Sequence, residues 1–139
     1  MFGLKKKKAL MEPFIKEYPT SEVTFVKGKW YDCEIKHNGK LYLCRFYRLP
    51  NNCQMTVNNR YIWQILNGRP GIKTMPGVEK FIDGKDPRAH IKVALIVNNK
   101  SQIRRWINEC EMEFVDSYMD IYGAKMCDIE KLVNQISAL

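Results

Sequence analysis

The sequence predicts an α+β fold: an antiparallel β-meander of about four strands plus one further buried strand, packed against two C-terminal helices and one short middle helix. Three observations carry this. Alternating residues flank an Asn38-Gly39 turn, an unbroken apolar run occupies Val93-Ala94-Leu95-Ile96-Val97, and apolar residues recur at helical spacing from Ile103 onward.

Residues 1–20 read as a basic N-terminal tail or short helix, because Lys5, Lys6, Lys7 and Lys8 are adjacent ammonium groups that repel one another. Residues 21–139 read as a single α+β domain. Its first part, 21–57, is the meander. Asn-Gly tolerates the positive φ angles of a type I′ turn, so it fixes the register of the hairpin around it. Ile35 then faces Tyr42, Cys33 faces Cys44 and Tyr31 faces Phe46 on an apolar face. Glu34 faces Leu43, Asp32 faces Arg45 and Trp30 faces Tyr47 on the other, where Asp32 and Arg45 form a cross-strand ion pair. Val23 and Phe25 alternate before this hairpin and Cys53, Met55 and Val57 after it.

Tyr61, Ile62, Ile65 and Leu66 have helical spacing, which predicts a short helix over 60–67 closed by Gly68. Residues 68–90 hold Gly-Arg-Pro-Gly, Pro-Gly, Asp-Gly and Asp-Pro, which predicts a long irregular loop. Alternation from His90 to Val97 predicts a central strand covered on both sides. Ser101 then caps a long helix whose stripe is Ile103, Trp106, Ile107, Cys110 and Phe114, continuing to Tyr118 and Ile121. A last helix over 127–137 presents Ile129, Leu132, Val133 and Ile136, with Asp128 near its start.

Composition bounds the function without naming it. The chain has 139 residues, 45% hydrophobic and 27% charged, enough for an ordinary core and unlike a disordered or collagen-like sequence. No stretch approaches the roughly 20 apolar residues of a membrane span, and the N-terminus lacks a secretory apolar region, so an intracellular, cytoplasmic location is expected. Five cysteines without a Cys-x-x-Cys pair predict neither a disulfide framework nor a zinc ribbon, and buried thiols at 33 and 44 are expected rather than a bridge.

The charge is divided along the chain. Residues 1–105 hold 21 Lys+Arg and 8 Asp+Glu, whereas 106–139 hold 2 and 7, within a total of +8. A field of one sign attracts polyanions, and the acidic C-terminal helix carrying Glu109, Glu111, Glu113, Asp116 and Asp120 suits a protein partner. On the basic side, Lys5 to Lys8 join Trp30, Lys36, Arg45, Tyr47, Arg48, Arg60, Arg69 and Lys73 as candidate nucleic-acid contacts, since rings stack on bases while cations meet phosphates.

Catalytic motifs are scarce. There is no phosphate loop, no His-Glu-x-x-His and no Gly-x-Ser-x-Gly, and no catalytic residue, metal site or cofactor is assigned. Asp32-x-Glu34-x-Lys36 can place two carboxylates and a lysine on one strand face, as a divalent-cation nuclease requires. Those three residues resemble the acid-x-Lys strand of restriction-endonuclease-like folds, which add an acidic residue from a neighbouring element; Glu12, Glu17 and Glu22 are the upstream candidates.

The expected function is therefore a small, basic, non-enzymatic binding or assembly module that contacts nucleic acid or another polyanion. The alternatives are a subunit or enzyme inhibitor acting by protein contact alone, and a metal-dependent nuclease using Asp32, Glu34 and Lys36.

Overall fold

The computed structural model describes residues 3–50, 53–66, 73–97 and 103–139. After a first helix, α1 (Leu4–Glu17), come β1 (Glu22–Phe25), β2 (Cys33–His37), β3 (Lys40–Arg48), β4 (Gln54–Val57), β5 (Trp63–Leu66) and β6 (Lys73–Thr74). Helix α2 (Val78–Asp83), β7 (Ile91–Val97), β8 (Ile103–Trp106), β9 (Met112–Phe114), β10 (Ala124–Asp128), α3 (Ile129–Gln135) and a closing 3₁₀ turn complete the described elements.

The strands form two five-stranded mixed sheets, ordered β1-β2-β3-β7-β10 and β6-β5-β4-β8-β9. The chain passes from the first sheet to the second twice, from β3 into β4 and from β7 into β8. The two strands it leaves, β3 and β7, are parallel neighbours, and so are the two it enters, β4 and β8. This mixed α/β architecture replaces the expected meander with its two C-terminal helices and middle helix.

The hairpin forms as its turn residues dictate. Asn38 and Gly39 take φ of 48° and 76°, and Cys33 pairs with Cys44, Glu34 with Leu43 and Ile35 with Tyr42. Cys33, Ile35, Tyr42, Cys44 and Phe46 enter one core with Val93, Leu95 and Val97, under Met11 and Phe14 of α1 and Leu132 of α3. The α1–α3 layer is tied down by Tyr18, whose hydroxyl donates to the Val133 carbonyl at 2.5 Å. Cys33 and Cys44 are free thiols, and the Cys33 thiol and burial push the Cys44 thiol well above its usual pKa. Strand β7 lies between β3 and β10, and Asp128 caps α3 by accepting from the Lys131 N–H at 2.8 Å.

Two expected helices are strands. In place of the helix expected over 60–67, the chain bends at Asn59, whose side-chain oxygen accepts from the N–H groups of Tyr61 and Ile62, then extends as β5 up to Leu66. The Ser101 cap lies outside the described residues, and from Ile103 the expected helix is instead a hairpin, because Asn108 accepts from the N–H groups of Cys110 and Glu111 and reverses the chain between β8 and β9. Trp106, Ile107, Cys110, Phe114 and Tyr118 of the supposed core stripe are exposed, while Ile103 and Ile121 are buried. The expected loop over 68–90 contains β6 and α2; Gly68 and Arg69 lie outside the described residues.

The other face of the first sheet is equally covered. Tyr47, Ala94, Ile96 and Met126 meet Val78, Phe81 and Ile82 of α2 and Met55, Val57, Trp63 and Ile103 of the second sheet. No helix among the described residues is long and apolar enough to cross a membrane.

Candidate anion-binding clefts

Two adjoining clefts open where α1 crosses the ends of β2 and β3, and Asp32 and Arg45 line both. The larger, about 580 Å³, runs from the first turn of α1 past the Lys27-Gly28-Lys29 turn to Lys80 of α2, with Leu4, Phe25 and Tyr31 as apolar wall. The smaller, about 400 Å³, is framed by Lys6, Arg48, Ile65, Met75 and Pro76. Among the described lining residues, Lys6, Lys7, Lys27, Lys29, Arg45, Arg48 and Lys80 are cationic and Asp32 is the single carboxylate.

Local structure explains each placement. Gly28 takes a φ of 74°, so a tight turn presents Lys27 and Lys29 side by side at the mouth. Lys7 projects from α1 and is nearly buried; its ammonium donates to the Val26 carbonyl at 2.7 Å and pairs with Asp32 at 3.2 Å. Asp32 in turn accepts from the Phe46 N–H at 2.7 Å. Arg45 does not pair with Asp32 as the register suggested. Its guanidinium donates to the Trp30 carbonyl at 3.3 Å and sits 5.6 Å from the Tyr47 ring centroid. A Cβ on Gly77 would lie 2.1 Å from Arg45 Nη2, so a glycine is needed for the guanidinium to lie against the start of α2.

The expected contact residues divide accordingly. Lys6, Lys7, Arg45 and Arg48 converge on the clefts; Lys5 and Lys8 are exposed on α1 and line neither. Lys36 pairs with Glu22 at 3.8 Å, Arg60 pairs with Asp83 at 3.6 Å, and Lys73 is exposed on β6. Arg69 lies outside the described residues.

The rings expected to stack on bases are structural. Tyr47 is buried against Trp63 and Phe81, and burial raises its hydroxyl pKa. Trp30 is half-buried between Phe81, Tyr31 and His90, with the Lys92 ammonium 4.8 Å from its ring centroid. Sequence reading missed Lys27, Lys29 and Lys80. The first two were legible as cations flanking a turn glycine; Lys80 reaches the cleft through tertiary structure alone.

Asp32, Glu34 and Lys36 have separate partners. Glu34 accepts from Arg88 Nη1 at 2.5 Å and from the Tyr31 hydroxyl at 3.2 Å, while Asp32 is taken by Lys7. Among the described residues no group of three or more His, Cys, Asp or Glu side chains is placed to hold a metal ion. His37 and His90 are held locally, by Ser21 at 2.7 Å and by the Arg88 carbonyl at 2.7 Å.

Arg88 sets a pH response. It hydrogen-bonds Glu34 and Asp86 and holds both carboxyls below the usual carboxylate range, against the opposing effect of desolvation. Carboxyls with depressed folded pKa values contribute stability above their unfolded pKa, about 4, that is lost as pH falls through the folded values. Urea unfolding should therefore find Arg88→Ala less stable than the wild type at neutral pH, with the gap shrinking below about pH 4. A gap that persists unchanged into acid would refute this assignment.

No protein-family model, curated protein or solved structure matches this chain.

Proposed function

We propose that the protein is a non-enzymatic binding module that seats the phosphate backbone of a nucleic acid in the two clefts around Arg45. The supporting observation is the lining itself: among the described residues seven cationic side chains meet one carboxylate, and that carboxylate is paired with Lys7. A concave, one-signed surface concentrates field and draws in a polyanion, and each seated phosphate releases condensed counterions. Recognition here is electrostatic. Tyr47 and Trp30 support Arg45 from within the fold, as ring and backbone respectively, and leave the bases to other contacts.

Fluorescence anisotropy with labelled single-stranded and duplex oligonucleotides, titrated from about 50 to 300 mM salt, tests the reading because phosphate contacts weaken linearly in log salt. The paired variants Arg45→Ala with Arg48→Ala, and Lys27→Ala with Lys29→Ala, should each weaken binding roughly ten-fold and flatten the salt slope by about 1 to 2. Lys5→Ala with Lys8→Ala, outside the clefts, should change affinity by less than about three-fold, the residual effect of distant screened charge. Equal effects of all three pairs would mean diffuse attraction without a site, and no effect of any would remove the nucleic-acid reading.

A further inference from the structure

The C-terminal part of the second sheet has a chemistry opposite to that of the clefts. From Trp106 to Ala124 the sequence contains five acidic residues and no Lys or Arg. Glu113 is neutralised by Arg105 across β8 and β9, but Glu109, Glu111, Asp116 and Asp120 are exposed and make no ion pair with another described residue.

This acidic stretch surrounds a sheet edge. Strand β9 is last in its sheet and, among the described residues, pairs with β8 alone. The Val115 N–H donates to the Ile103 carbonyl at 2.8 Å and the Ile107 N–H to the Glu111 carbonyl at 2.9 Å. In an antiparallel ladder bonded pairs alternate with unbonded ones, so residues 111, 113 and 115 address β8. Met112 and Phe114 therefore turn their backbone N–H and C=O groups away from β8, toward the open side of the sheet.

The side chains beside that edge are apolar rings. Register places Trp106, opposite Met112, on the same face as Phe114, opposite Arg104. Trp106 is 41% exposed and Phe114 56%, and Trp106 shares with Tyr122 and Glu109 a shallow cleft of about 490 Å³. Natural sheets usually blunt an edge with lysine, proline or an unpaired charge; Met112-Glu113-Phe114 has none of these once Glu113 is paired. Exposed rings attract ammonium and guanidinium groups, and four exposed carboxylates flank the strand in sequence, Glu109 among them lining the cleft beside Trp106.

We propose that the β9 edge is a docking surface for a partner protein, which adds an extended segment bearing Lys or Arg at alternate positions as a further strand of the second sheet. The backbone groups of Met112 and Phe114 supply the hydrogen bonds, the Trp106 and Phe114 rings receive cations, and the carboxylates fix the sign of the segment. A three-residue strand supports few hydrogen bonds, so the contact is a weak, transient one. The proposal is independent of the nucleic-acid reading.

The test uses the full chain and a labelled decapeptide of alternating Arg and Val, followed by anisotropy and by amide chemical shifts. Saturable binding with shifts at Met112 and Phe114 is expected. Met112→Pro and Phe114→Pro, at positions whose N–H is outside the β8 ladder, should each weaken binding at least ten-fold. The same decapeptide N-methylated at alternate residues should lose affinity similarly without any change to the protein, so the test survives misfolding of either variant. A Glu-for-Arg peptide should not bind. The proposal is overturned by absence of saturable binding at 1 mM peptide, by equal binding of the N-methylated peptide, or by a β9-mediated dimer that the peptide fails to displace, which would make a second copy the occupant.

Discussion

Replacing Asp32 by asparagine lowers stability and raises affinity for a polyanion. Both effects come from one carboxylate. In the folded chain Asp32 faces the Lys7 ammonium, whose side chain is 8% exposed, and the Phe46 N–H. Asparagine keeps an oxygen for the Phe46 N–H but removes the charge opposite Lys7, leaving a nearly buried ammonium with the Val26 carbonyl as its remaining partner. Breaking a buried pair on one side costs about 3 to 5 kcal/mol; the retained carbonyl bond and the partial exposure of Asp32 place this case near about 2 to 3.

The same change takes the single carboxylate from the described lining of both clefts and releases Lys7 toward a ligand, so oligonucleotide affinity should rise several-fold with a steeper salt dependence. Urea unfolding and anisotropy on one preparation separate the outcomes. Lost stability with weakened binding would show that the clefts are not where the polyanion sits.

Parts of this architecture were legible because their signals are local. Asn38-Gly39 sets a hairpin whatever lies around it, the β-branched run of β7 needs no helix to be a strand, and Asp128 caps α3 from its own sequence neighbourhood. The helix expected from Ser101 failed for an equally local reason. Ile103, Trp106, Ile107, Cys110 and Phe114 fall at helical spacing, yet their period is undone by the Asn108 side chain, which offers the following N–H groups an alternative partner. Asn59 has the same effect before β5.

Site placement divides along the same line. Period-2 alternation correctly separated Tyr42 and Cys44 from Arg45 and Tyr47, but it could not reveal that α2 and a second sheet would cover the latter face. Tyr47 therefore became core, Trp30 half-buried support, and Arg45 the edge of that cover, where it lines both clefts. Convergence of Lys7, Lys29, Arg45 and Lys80 joins residues from α1, a turn, β3 and α2, and nothing in their sequence spacing encodes it.

That cover has a single most consequential residue. Phe81 of α2 is fully buried, and its ring centroid lies 6.1 Å from Trp30, 5.9 Å from Tyr47 and 6.3 Å from Trp63. It thus joins the loop before β2, the first sheet and the second. Phe81→Ala should cost about 3 to 5 kcal/mol, since a short helix cannot collapse into the void without withdrawing Val78 and Ile82. Trp63→Ala should cost a similar amount, about 3 to 5 kcal/mol, but the double variant less than the sum, because both deletions open one shared cavity. The functional consequence runs through Tyr47, over which Arg45 lies: loosening that ring should weaken oligonucleotide binding in Phe81→Ala even under conditions where the variant remains fully folded. Chemical denaturation of the two single variants and the double variant checks the coupling. Strict additivity would mean that the aromatic rings act as separate contacts and do not together support the cleft.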